Sequence, residues 1–124
     1  MGAVTINPRS PSPQTTLDAF DKYMRSVCSA TEYTKEELCG TSRESELVSL
    51  RHLLMTIARY EFGMNTKRIG KIFNRDHSSV IYGTKTFQRH FKNKQLGFFL
   101  SGCLHAAERI YFEQWGHKFE NVAK

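Results

Sequence analysis

Large apolar residues recur at three- and four-residue intervals from Leu17 onward, through Phe20, Tyr23 or Met24, Val27 and Cys28. That period is one face of an α-helix and predicts a first helix over roughly 17–30. Thr34-Lys35-Glu36-Glu37 has the form of a capping box, so a short second helix should start there and stop at Gly40. Leu47, Leu50, Leu54, Ile57 and Ala58 predict a third helix over about 46–62, with Gly63 as its stop. Asn65 is a good N-cap for a short helix carrying Ile69, Ile72 and Phe73 and ending near Asn74. Asp76 then caps another helix, whose inward positions should be Val80, Ile81, Thr84, Phe87 and Phe91. A last amphipathic helix is expected over 95–116, with Leu96, Phe99, Leu100, Cys103, Leu104, Ala107, Ile110, Tyr111 and Trp115 inward. Gly97 and Gly102 weaken it by about 1 kcal/mol each against alanine, so packing must compensate. With no alternating strand pattern, the fold class reads as all-α, a helical bundle containing a helix, a tight turn and a second helix.

The first sixteen residues, MGAVTINPRSPSPQTT, break the pattern. They hold all three prolines and almost no large apolar residue, which leaves little to offset ordering entropy. Residues 1–16 are therefore expected to be a disordered arm, 17–94 a single helical domain, and 95–124 an added helix. A chain of 124 residues suits one modest core. The apolar residues after Lys94 are too many to leave exposed on a lone helix. They should cover the bundle or meet a second copy of the chain.

Charge changes the picture most. The total is +6, yet residues 51–94 hold ten Lys/Arg against Glu61 and Asp76, a net +8 that leaves −2 for the rest. A basic segment of this kind suits a polyanion such as duplex DNA; the plainer reading is a solvated face. A membrane surface fits less well, because these charges are interleaved with core-type positions. Cys28, Cys39 and Cys103 form no C-x-x-C pair, which points to neither a disulfide framework nor a zinc site and fits a reducing cytoplasm. The five histidines make no H-E-x-x-H spacing, and no G-x-S-x-G elbow occurs. No catalytic residue, metal or cofactor is therefore expected, and the chain should not be an enzyme.

One stretch carries candidate chemistry: FNRDHSSVIYG, residues 73–83. Charged and hydroxyl residues run directly into Val80 and Ile81, as at the exposed start of a helix. First-turn amides are unpaired and point outward, so such a start can face phosphates while short side chains reach base edges. Asp76 can cap the helix alone, or cap it and accept from cytosine N4. His77 can donate to a purine or phosphate acceptor, or stay solvated. Ser78 and Ser79 suit any first turn. Gly70, inside a helix, should allow close approach around the turn. Arg51, Arg59, Lys67, Arg68, Arg75 and Lys85 are the phosphate-contact candidates, four of them expected to face DNA. The aromatics Phe87, Phe91, Phe98, Phe99, Tyr111, Phe112 and Trp115 sit at helical spacing and read as core before they read as base-stacking residues.

The run LRHLLMTIARYEFGMNTKRIGKIFNRDHSSVIYGTK resembles the C-terminal DNA-binding domain of the bacterial replication initiator DnaA. The features shared are a helix opening with arginine, I-G before the turn, and R-D-H-[ST]-[ST]-V. The resemblance implies a small bundle similar to the Trp repressor, with Asp76, His77, Ser78 and Ser79 reading the major groove of a short nonpalindromic box. It also implies that Arg43, eight residues before Arg51, enters the minor groove. Two departures bear on box preference. The family's F-G-G-R-D-H is one residue shorter here, and a serine pair replaces threonines, losing methyl groups that could pack on a thymine methyl. The chain has no G-x-x-x-x-G-K-[ST] loop, so no nucleotide-hydrolysis domain is expected in it. The expected function is a stand-alone, cytoplasmic, sequence-specific duplex DNA-binding protein, a replication accessory or transcriptional regulator. The alternative is an interaction module that keeps the fold and binds a replication component without reading DNA. Self-association through 95–124 would give a homodimer.

Overall fold

The computed structural model describes residues 13–122. These form six helices: α1 (Pro13–Thr31), α2 (Lys35–Cys39), α3 (Ser45–Tyr60), α4 (Thr66–Phe73), α5 (His77–Lys92) and α6 (Gly97–Trp115). No strand occurs among the described residues. The arm was expected to reach residue 16, but 13–16 already belong to α1 and Thr16 is buried. Proline suits the first helical position because its missing N–H would be unpaired there anyway. The arm's remainder, residues 1–12, lies outside the described residues.

α3 is the axis of the bundle. All six residues from Leu53 to Ala58 are buried, so the helix is covered on every side there, where its sequence pattern suggested a single stripe. It packs against α2, α4, α5 and α6. Its one polar residue in that run, Thr56, returns its hydroxyl to His52 O at 2.8 Å. Enclosure on all sides is what a helix apolar all round requires. The short α2 is set by the capping box expected from sequence, Thr34 with Glu37 in both directions.

α6 packs on α1 and α3, burying Leu100, Cys103, Ala107 and Tyr111. The buried Tyr23 hydroxyl donates to Ala107 O at 2.8 Å and ties α1 to α6. Edge-on ring pairs fill the space around it, Phe20 with Phe62 at 5.1 Å and Tyr23 with Tyr111 at 6.0 Å. Two aromatics expected in the core are outside it: Phe98 is 99% exposed and Phe112 49%. Helical spacing alone misassigns them, because they fall on the side of α6 that turns away from α1.

Beyond α6 the chain doubles back. The Glu61 carboxylate, buried at the end of α3, accepts from the amides of Glu120 at 3.1 Å and Asn121 at 2.6 Å. Val122 enters the core, and its carbonyl accepts from Gln88 Nε2 on α5 at 3.1 Å. The last described turn is thus fastened to both α3 and α5.

Candidate nucleic-acid interface

α4, a tight turn and α5 form the helix-turn-helix. Asn65 Oδ1 caps α4 by accepting from Arg68 N at 2.9 Å. The helix ends at Asn74, which adopts the left-handed conformation, φ 57° and ψ 47°. Asparagine tolerates that region better than most residues, so one residue reverses the chain. Arg75 N then donates to Gly70 O at 2.8 Å. A Cβ on Gly70 would collide with Arg75 O, which explains a glycine in mid-helix. The close approach expected at Gly70 exists, and its partner is the backbone of the turn.

Asp76 is the N-cap of α5, its Oδ1 accepting from Ser79 N at 2.8 Å. That backbone hydrogen bond holds its carboxyl below the usual carboxylate range. Asp76, His77, Ser78 and Ser79 are all exposed. The cap fixes the direction of the first turn while one oxygen of Asp76 is committed to it. Behind this polar start, Val80, Thr84 and Phe87 are buried as expected, and Gly83 and Gln88 join them. Gly83 lies where a Cβ would meet His52 Cδ2 at 2.7 Å, which brings α5 close onto α3.

The six phosphate-contact candidates divide. Arg51 is only 4% exposed: its Nε donates to Leu38 O at 2.6 Å, and Nη2 reaches Glu37 O and Ser42 O at 3.4 Å. Arg75 is half-buried and binds Gly40 O at 2.6 Å and Phe73 O at 2.9 Å. Both were expected on phosphates. In this structure they satisfy carbonyls at the end of α2 and in the turn, which is why long, multidonor side chains stand there. Lys67 and Lys85 are exposed, and Arg68 is half-buried. Arg59 is half-buried, donating to Thr84 Oγ1 at 3.2 Å and lying 5.1 Å from the Tyr60 ring centre.

Arg43 is exposed in the loop before α3. It borders a groove of about 350 Å³ with His52 and His90, while His52 also borders a groove of about 360 Å³ with Asp76, Ser78 and Ser79. The loop arginine and the start of α5 therefore flank the same stretch of α3. Lys67 and Arg68 share a third groove, about 520 Å³, with Lys71 and an apolar floor of Leu17 and Ile72.

Sequence reasoning missed three residues of this surface. Tyr82 is 63% exposed on the same groove as Ser78 and Ser79, edge-on to His52 at 6.1 Å. The spacing Ser78, Tyr82, Lys85, Arg89 was the signal for an outward face. His52 is half-buried, and its burial, then the nearby Arg51 guanidinium, lower its pKa. Lys71 is exposed one turn after Lys67. Among the described residues no group of His, Cys, Asp and Glu could hold a metal ion, and no helix is long and apolar enough to cross a membrane.

A family model described as bacterial dnaA protein helix-turn-helix matches residues 20–86. The chromosomal replication initiator protein DnaA of Oleidesulfovibrio alaskensis is 36% identical over 91 residues, 73% of this chain and 20% of that protein. Its namesake in Leptospira biflexa serovar Patoc is 32% identical over 68 residues, 55% of this chain and 15% of that protein. The Mycoplasma genitalium protein is 31% identical over 77 residues, 60% of this chain and 18% of that protein. The chain spans about a fifth or less of the length of these relatives. No solved structure matches it.

Proposed function

The chain belongs to the bacterial DnaA helix-turn-helix family, and on that premise we propose that it binds double-stranded DNA sequence-specifically. The observation that carries the reading is the start of α5, four exposed polar residues held in a fixed direction by the Asp76 cap and the Gly70 turn. Asp76, His77, Ser78 and Ser79 read base edges in the major groove, and Arg43 reaches the minor groove. Lys67, Arg68, Lys85 and Arg59 contact phosphates, with Tyr82 beside the bases or sugars. Arg51 and Arg75 contribute chiefly by holding the turn and the loop before α3. The biological setting we assign is the cytoplasm, as a replication accessory or transcriptional regulator; the relatives' name, chromosomal replication initiator, supports the first of these.

The rival, a module that binds a replication component without reading DNA, has the exposed Phe98 and Phe112 in its favour. It leaves the polar start of α5 without a use. Binding to random-sequence duplex across a salt series separates the two. The DNA reading predicts measurable affinity at low salt and a steep linear fall of log K with log salt concentration. Absence of binding at low salt would favour the rival.

A further inference from the structure

The outer face of α6 takes no part in the DNA reading, and it is patterned. Phe98, Gly102, His105, Arg109 and Phe112 follow one another at steps of four, three, four and three, so they form one stripe along the helix. All five are exposed. The opposite side of α6 is already occupied by α1 and α3. The helix that carries the stripe does not continue the basic segment: Gly97–Trp115 contains Glu108, Arg109 and Glu113, a net −1, against the net +8 of residues 51–94.

We propose that this stripe pairs with α6 of a second copy, antiparallel, with the two-fold axis passing beside His105. The pattern is self-complementary about that residue. Phe98 and Phe112 each lie seven residues from His105, so each Phe98 meets the partner's Phe112 at both ends of the contact. Ser101 stands four residues before the centre and Arg109 four after it. A small position therefore faces a long side chain on each half.

Charge selects the same arrangement. Glu113 lies as far after His105 as Gly97 lies before it. The start of α6 has no side-chain cap on its amides, so the partner's Glu113 supplies an anion to a helix N-terminus that lacks one. A parallel pairing would instead set Arg109 against Arg109 and Glu113 against Glu113. The antiparallel contact is isologous and closed, giving a dimer and no filament. One helix face is a small interface, so association of the free protein is expected in the micromolar range. A duplex carrying two sites gains from the raised effective concentration of the second recognition helix.

Sedimentation velocity of the full chain, from about 1 to about 200 µM, brackets the range in which so small an interface dissociates. A monomer–dimer equilibrium is expected for the wild type, and a monomer at every concentration for the double variant Phe98→Asp, Phe112→Asp. That variant should keep its helical circular dichroism and its affinity for a single-site duplex, because both positions are exposed and lie on α6, outside the helix-turn-helix of α4 and α5. The register is read by a short bifunctional maleimide. A His105→Cys variant should give covalent dimer well above the wild-type background from Cys28, Cys39 and Cys103. Lys118→Cys, exposed but beyond α6, should stay at that background. A wild type that remains monomeric throughout overturns the proposal and leaves the face to a different protein. So does a double variant that dimerises as the wild type does, or a His105→Cys variant that cross-links no better than Lys118→Cys.

Discussion

Glu61 and Asp76 perform the same local chemistry in opposite settings. Each carboxylate accepts from backbone amides, Glu61 from Glu120 and Asn121 and Asp76 from Ser79. Glu61 is buried, and its bonds close the end of the described chain over α3. Asp76 is exposed, and its bond fixes a helix start that remains open to solvent. Closing the first contact holds the fold together; the second orients groups whose partners lie outside the protein. Stability and recognition should therefore separate when the two regions are perturbed.

The largest effect is expected at Gly70, on which the turn depends. Gly70→Ala drives a methyl into Arg75 O, a backbone atom that cannot swing away, and should cost about 3 kcal/mol in denaturant unfolding. DNA binding should fall with it, because the start of α5 is displaced. An unchanged midpoint would show that the turn has slack. Glu61→Gln comes next. It keeps the volume but replaces charge-assisted acceptance with a weaker amide, and should lose about 2 kcal/mol of stability while preserving the preferred DNA site. A shift in site preference would join the two regions that the structure separates.

Arg51 and Lys67 test the division of the cations. Arg51→Ala leaves carbonyls of Glu37, Leu38 and Ser42 without this donor and should cost about 1 to 2 kcal/mol in thermal or denaturant unfolding. Lys67→Ala should change stability by less than about 0.5 kcal/mol, yet lower the log–log salt slope of binding by about 1. The reverse pattern would restore Arg51 to the phosphate contacts. The smallest effect is the pH dependence of the Asp76 cap. Its folded-state pKa lies below the ordinary 3.8 because the charged form is bonded to Ser79 N. The stabilisation is therefore complete above the unfolded value and is lost as pH falls through the lower, folded one. Wild type and Asp76→Ala should differ by a constant amount near neutrality and converge below about pH 4. Curves that stay parallel into acid would detach the cap from ionisation.

Much of the helical order was legible because period and caps agreed. The capping box at Thr34, the Asn65 cap and the Asp76 cap each stand where the sequence pattern places them. Three features were not legible, for different reasons. The start of α1 was not legible because Pro13–Thr16 share the Pro-rich, apolar-poor composition of the arm, which leaves little to offset ordering entropy, whereas proline suits a first helical position. The burial of Arg51 depends on carbonyls that only the folded loop brings to it, and no spacing rule encodes their direction. Phe98 and Phe112 were assigned inward because aromatics at helical spacing were read as core; their actual side is fixed by the contact of α6 with α1. At the site, the motif marked Asp76 to Ser79, but Tyr82 was hidden among apolar neighbours and needed the face of α5 to be known.

Selection from a random duplex pool, with the wild type and His77→Ala in parallel, tests most directly whether the start of α5 reads sequence. The wild type should enrich one short nonpalindromic site. His77→Ala should keep its stability and its low-salt affinity for random duplex, while losing about 1 to 3 kcal/mol of discrimination at the bases it faces. Enrichment of the same site with undiminished preference by His77→Ala, and likewise by Asp76→Ala, would contradict a reading role for this helix start.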